Sequence, residues 1–213
     1  MIISYIQRKG NHVLEANTNK KIVYDFYEIE SWLKKTLSKE RYVHSCKVSR
    51  VAEKIANHSH ISAEKAKLLG LVHDCAKDYS FNELGNLINK YNIKLSAVEK
   101  HIPALWHGYI AAEIVKENFH IYDEEMLEAI RYHSTANHNF GILGKIIYIA
   151  DKIEPDREMD KVQGIRKLVW KDIDFALLLL LNQEIISLIK RDLIIHPETF
   201  LTRNKIILER RIK

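Results

Sequence analysis

His73 and Asp74 stand side by side behind an apolar stretch, in Leu71-Val72-His73-Asp74-Cys75-Ala76-Lys77-Asp78. A histidine and an aspartate so placed offer nitrogen and oxygen to one cation, and the second carboxylate oxygen can bridge to another. Other metal-competent groups recur along the chain. His44 lies in Arg41-Tyr42-Val43-His44-Ser45, His107 in Leu105-Trp106-His107-Gly108, and His133 ends Ala129-Ile130-Arg131-Tyr132-His133. Asp151 closes Ile146-Ile147-Tyr148-Ile149-Ala150-Asp151, an apolar turn where an unpaired carboxylate is costly to bury. These six ligands, with Asp74 as the bridge, could hold two ions about 3.5–4 Å apart. Each has an ordinary reading alone, since a single histidine on an amphipathic helix is usually a surface or hydrogen-bonded core residue. The ordered set carries the weight. His12, His58, His60, His101, His120, His138 and His196 have no comparable setting and are assigned to surface or packing, with His138 near enough to His133 in sequence to approach the site.

Helices must position these groups. The periodicity predicts them over 25–38, 41–57, 63–76, 81–91, 108–118, 124–133, 142–152, 174–194 and 198–211, with Ser62 and Asp123 as N-caps. Gly numbers 7 and Pro 3, too few for a turn-rich β fold, so an all-α bundle is expected. No glycine-rich phosphate loop is present. Residues 1–24 lack helical periodicity and are read as an appendage of unknown role, with 25–213 as the single domain. The 213 residues suffice for a substantial core. Two cysteines, Cys46 and Cys75, suit a reducing cytosol, and Arg8 and Lys9 interrupt the start before any secretory signal develops. The most apolar run, 175–181, is too short to span a bilayer. The net charge of +5 suits an anionic ligand.

The order His44…His73-Asp74…Asp151 resembles the HD-domain metal-dependent phosphohydrolases, an all-helical fold. The resemblance is nearest to the YqeK family, whose activity is symmetrical hydrolysis of diadenosine tetraphosphate, and it covers roughly 32–204. The segment Ala150-Asp151-Lys152-Ile153-Glu154-Pro155-Asp156-Arg157 is similar to that family's "ADxIEPxR" stretch. The stretches 41–44, 71–77 and Ile195-His196-Pro197-Glu198-Thr199 agree with it as well. Two departures stand out. Ser134-Thr135-Ala136 replaces the family's usual Thr-Thr-Gly, and Phe140 replaces a methionine.

The resemblance implies a cytoplasmic enzyme that splits a dinucleoside polyphosphate, giving two ADP from diadenosine tetraphosphate. Two divalent ions would acidify a bridging water and neutralise phosphate charge. One ion is expected among His44, His73, Asp74 and Asp151, the other among Asp74, His107 and His133. Such donors suit iron, manganese or zinc, and the resemblance favours iron. Lys77, three residues after Asp74, is expected on the same helical face and in reach of a phosphate or the attacking water. Arg157 could grip phosphate with its planar fork, or pair with Glu154 or Asp160. Thr135 and Asn137 are expected to donate to phosphate. Other HD nucleotide phosphohydrolases are the alternative, but Lys77 stands where alarmone hydrolases carry glutamate, and no Gly-Tyr-Pro occurs. A non-catalytic module is the remaining reading. Its basic C-terminal residues Arg203, Lys205, Arg210, Arg211 and Lys213 could touch nucleic acid, although such a run is more often a solvated face. A homodimer is left open.

Overall fold

Serines and aspartates mark where the helices begin. Asp25, Ser38, Ser62, Ser80, Ser96, Asp123 and Asp172 each sit at an N-cap and accept a hydrogen bond from a first-turn backbone N–H. Caps of this kind typically contribute about 1 kcal/mol each. The structure, a computed structural model, describes residues 24–158 and 162–212. Among these the helices are α1 (Phe26–Thr36), α2 (Lys39–His58), α3 (Ala63–Val72), α4 (Phe81–Lys90), α5 (Ala97–Lys100) and α6 (Trp106–Phe119). They continue as α7 (Glu124–Arg131), α8 (Ile142–Ile153), α9 (Val162–Leu168), α10 (Ile173–Lys190) and α11 (Pro197–Ile212). A 3-10 turn, Pro103–Leu105, leads into α6. No strand occurs among the described residues, so the fold is all-α, as expected.

Several boundaries differ from the periodicity. The helix expected to reach Ala76 ends at Val72, and the chain passes His73-Asp74 in successive turns. α7 ends at Arg131, so His133 lies just beyond it, and α10 ends at Lys190. The helices α5 and α9 have 4 and 7 residues, too few to show a repeat in sequence. The appendage expected at 1–24 falls, Tyr24 apart, outside the described residues. No helix among the described residues is long and apolar enough to cross a membrane.

The core is organised around α8. Ile146, Ile147, Tyr148, Ile149 and Ala150 are all fully or almost fully buried, because α2, α3, α7 and α10 pack around them. That enclosure carries Asp151, near the end of α8, into the interior. Two glycines permit the close crossings that bring the other site residues in. Gly70 lets α3 lie against the α2 backbone at Val48 and Ser49, and Ser49 Oγ donates to Lys67 O across the same seam (2.8 Å). Gly108 lets α6 lie against the carbonyls of Ile130 and Arg131 at the end of α7.

Candidate metal centre

The six residues singled out in sequence converge. His44 comes from α2, His73 and Asp74 from the turn after α3, and His107 from the first turn of α6. His133 follows α7, and Asp151 lies in the last turn of α8. His44 Nε2 lies 3.1 Å from Asp151 Oδ1 and 3.9 Å from Asp74 Oδ2. His107 Nε2 and His133 Nε2 lie 3.1 and 3.2 Å from Asp74 Oδ1 and 3.0 Å from each other. Asp74 thus stands between a His44/Asp151 end and a His107/His133 end. Two groups, His44-His73-Asp151 and His73-Asp74-His133, have ligand atoms within 4.8 Å of one another.

Backbone carbonyls orient the rings. His73 Nδ1 is 2.9 Å from Gly70 O, His107 Nδ1 is 2.6 Å from Ala104 O, and His133 Nδ1 is 2.8 Å from Ile130 O. A proton held at each Nδ1 leaves Nε2 as a bare acceptor, the form that ligates metal. Burial lowers the His73 and His107 pKa values to about 4, against an ordinary 6.5, so both rings are neutral near pH 7. Burial also works against ionised Asp74 and Asp151. It is outweighed at Asp74 by His73, His107 and His133, and at Asp151 by Lys152 and His44, so both carboxyls stay well below the usual range.

The result is a buried cluster of acceptors facing acceptors. His44 Nε2, His73 Nε2 and Asp74 Oδ1 are buried without an aligned hydrogen-bond partner. Unpaired buried polar atoms are costly, and lone pairs about 3 Å apart need a cation or a shared proton between them. The donor set therefore fits a divalent transition metal, with imidazole nitrogens and carboxylate oxygens in the mixture such ions accept.

Cations line the rim. Lys77 Nζ lies 3.3 Å from His107 Nε2, and burial lowers its pKa. The turn, not a continuing helix, places it: Lys77 N–H donates to Asp74 O (2.9 Å), which corrects the helical-face expectation. Arg157 Nη2 and Nε donate to Asp151 Oδ1 (3.0 Å) and Asp151 O (3.1 Å), while Nε approaches Glu154 Oε1 at 3.7 Å. Its fork therefore grips a candidate ligand, and its side chain remains 41% exposed. Asp160, the other partner considered for it, lies outside the described residues.

Thr135 and Asn137 are buried and turned to other uses. Thr135 Oγ1 donates to Ala136 O, and Asn137 Oδ1 accepts from Asn139 N–H. Asn137 lines a separate cavity of about 40 Å³ with Phe140, Lys145 and Leu177. Ala136, where the resembled family has glycine, adopts φ 62°, a left-handed conformation that costs an L-residue roughly 1–2 kcal/mol. The loop is fastened from α11: Thr199 Oγ1 donates to Thr135 O (2.9 Å), and Glu198 Oε2 accepts from His138 N–H (3.1 Å). His138 is thus engaged by Glu198, and His196 by the buried Glu99 (3.2 Å). Of the basic C-terminal residues, Arg203 binds Asn182, Lys205 binds His138 O and Arg210 pairs with Asp172.

Three residues at the centre escape a sequence reading. Arg41 Nη1 binds Asp74 Oδ2 at 2.7 Å, Glu154 Oε1 approaches His44 Nδ1 at 3.5 Å, and Ser134 Oγ is 3.2 Å from His133 Nε2. Arg41 and Glu154 carry a signal, through their places in the 41–44 and 150–157 stretches.

A helical bundle that gathers His and Asp side chains around a His-Asp pair defines an HD-class hydrolase. Residues 41–156 match the HD domain model. The symmetrical bis(5'-nucleosyl)-tetraphosphatase of Bacillus subtilis (strain 168) is 32% identical over 82% of this chain and 94% of its own length. The Halalkalibacterium halodurans protein of the same name is 33% identical over 84% and 95%. A crystal structure from Clostridium acetobutylicum, described as a predicted HD superfamily hydrolase involved in NAD metabolism, superposes with a TM-score of 0.83. It is 33% identical, covering 87% of this chain and 98% of that one. The chain belongs to the HD-domain family and, within it, to the YqeK family.

Proposed function

We propose that the chain hydrolyses diadenosine tetraphosphate, and related dinucleoside polyphosphates, symmetrically, giving two ADP from the former. The observation that carries this is the buried acceptor cluster around Asp74, set within a chain that aligns over most of its length with the tetraphosphatases above. Residues 25–213 act as one catalytic unit.

His44, His73, Asp74 and Asp151 would hold one ion, and Asp74, His107 and His133 the other, with iron the first choice and manganese or zinc as alternatives. When bound, the ions supply Lewis acidity, drawing charge from phosphate oxygens and making water acidic enough to attack near neutral pH. The protein's own residues supply the rest. Asp74, ionised and central, spans the two ends of the site. Lys77 sets a cation at the His107 end, and burial makes its Nζ a readier proton donor to the departing phosphate. Arg157 holds Asp151 through two contacts and turns its exposed edge toward incoming phosphate. Thr135 and Asn137 shape the loop beside His133, and their place in substrate binding is to support it. The free cysteines Cys46 and Cys75 suit the reducing cytosol, where such a substrate is met.

Product analysis tests the assignment. Two ADP from diadenosine tetraphosphate is the expected result. ATP plus AMP, or faster turnover of guanosine tetraphosphate or a cyclic dinucleotide, overturns it.

A further inference from the structure

Phe81 is the first residue of α4, and the residue is 62% exposed. It is not a stray apolar side chain. Its ring lies over Trp106 with centroids 5.4 Å apart and planes 29° from parallel. Both partners are rigidly mounted. Ser80 and Glu83 form a capping box at the start of α4, which fixes the backbone that bears Phe81. Trp106 donates its indole N–H to Glu99 O at 2.7 Å, so its polar edge is satisfied and its plane is set. The pair therefore presents a flat aromatic face that is already half of a stack.

Its position gives that face a use. Trp106 immediately precedes His107, and Phe81 follows Lys77 by one short turn. Lys77 and His107 are themselves in contact, Nζ to Nδ1 at 3.4 Å. The aromatic pair thus flanks the His107 end of the centre, while Arg41 and Arg157 flank the His44 end. A nucleotide whose phosphates sit over the centre carries its base two phosphates and a ribose away, so the base must land beside the cluster. Nucleobases stack on aromatic side chains whatever their hydrogen-bonding edges.

We propose that the outer face of Phe81, backed by Trp106, is the stacking platform for one nucleobase of the dinucleotide substrate. This rests on the reading of the chain as a dinucleoside polyphosphate hydrolase. It assigns Phe81 to base binding, with no part in the bond-breaking step. The platform accepts any flat base, so adenine and guanine nucleotides bind there with similar strength.

Calorimetry on the metal-loaded protein separates base from phosphate, using ADP and inorganic pyrophosphate as probes. Phe81→Ala and Phe81→Leu should weaken ADP binding about ten-fold and leave pyrophosphate unchanged, because leucine fills space without a π face. Phe81→Tyr should retain ADP affinity. With diadenosine tetraphosphate, the first two variants should raise KM about ten-fold and hold kcat within about two-fold, the mark of a uniform binding contact. Unchanged ADP affinity in Phe81→Ala overturns the proposal. So does an equal loss for pyrophosphate, which would make Phe81 a support for the fold. The calorimetric arm needs no turnover, so it decides base stacking even where product analysis refutes symmetrical cleavage.

Discussion

Replacing Gly70 with alanine tests whether the α2–α3 crossing builds the metal centre. The added Cβ would lie 2.3 Å from Ser49 Cα, 2.5 Å from Ser49 N and 2.9 Å from Val48 C, where ordinary contact begins near 3.4 Å. All three obstacles are backbone, so no side chain can swing aside and α3 must retreat by about an ångström. Overpacking of this kind costs about 1–3 kcal/mol. The gain in helix propensity offsets roughly 1 kcal/mol of it. A net loss of up to about 2 kcal/mol lowers the melting temperature by up to about 8 °C in a chain of this size. The retreat also moves His73, whose Nδ1 is held on Gly70 O at 2.9 Å, away from His44 and Asp151. Metal affinity should fall about 10–100-fold, as when an outer hydrogen-bond partner of a ligand is removed. Gly85 is the internal control. Nothing lies within 4 Å of a Cβ there, so Gly85→Ala should raise the melting temperature by about 2–4 °C and leave metal affinity alone. Thermal unfolding in chelator and metal titration read the two effects separately. If Gly70→Ala matches Gly85→Ala in stability, the packing argument fails; if it is unstable yet binds metal normally, the link from crossing to centre fails.

Asp74→Ala should abolish retained metal and lower activity by more than about 10³-fold, since it removes the group shared by both ends of the site. Elemental analysis checks it, and activity that survives chelation in metal-free protein refutes it. Lys77→Ala and Arg157→Ala should each lower activity about 10²–10³-fold with little change in melting temperature. Arg157→Lys should behave like Arg157→Ala because an ammonium cannot keep both contacts to Asp151; near-full activity would refute the two-point grip. In chelator, stability should be full above about pH 6.5 and fall as pH drops toward 4. The sign follows because burial lowers the folded pKa of His73 and His107, so the unfolded chain binds more protons across that window. A melting temperature independent of pH there would show that the two buried rings are not neutral.

The adjacency of His73 and Asp74 and the apolar run ending in Asp151 were legible because both survive in one dimension. A carboxylate closing Ile146–Ala150 has little to do in a core except bind something. The contacts of Arg41 and Ser134 are not legible in sequence, because they arise only where α2 passes the turn after α3, or where His133 meets His107. Lys77 is expected on a continuing helix, whereas that helix stops at Val72 and a tight turn carries the amine to His107. For Arg157 the sequence offers phosphate or a pairing with Glu154 or Asp160; the approach to Glu154 is present, and the contact to Asp151, set by the bend after α8, is the addition. Thr135 and Asn137 look like free hydrogen-bond donors in sequence. Only the fold shows one hydroxyl spent on Ala136 O and the other side chain's Oδ1 accepting from Asn139 N–H.

The fastening of the 134–140 loop by residues 196–199 bears on how the molecule comes into being on the ribosome. Synthesis runs at about 5–20 residues per second, and what emerges first can fold first. All six candidate ligands lie between 44 and 151, so the whole acceptor cluster leaves the exit tunnel before His196, Glu198 and Thr199 reach their partners Glu99, His138 and Thr135. The nascent chain therefore exposes the whole candidate ligand set while the loop beside His133 is still untethered. A chain stalled ahead of His196 is expected to present all six candidate ligands with the loop beside His133 still unfinished.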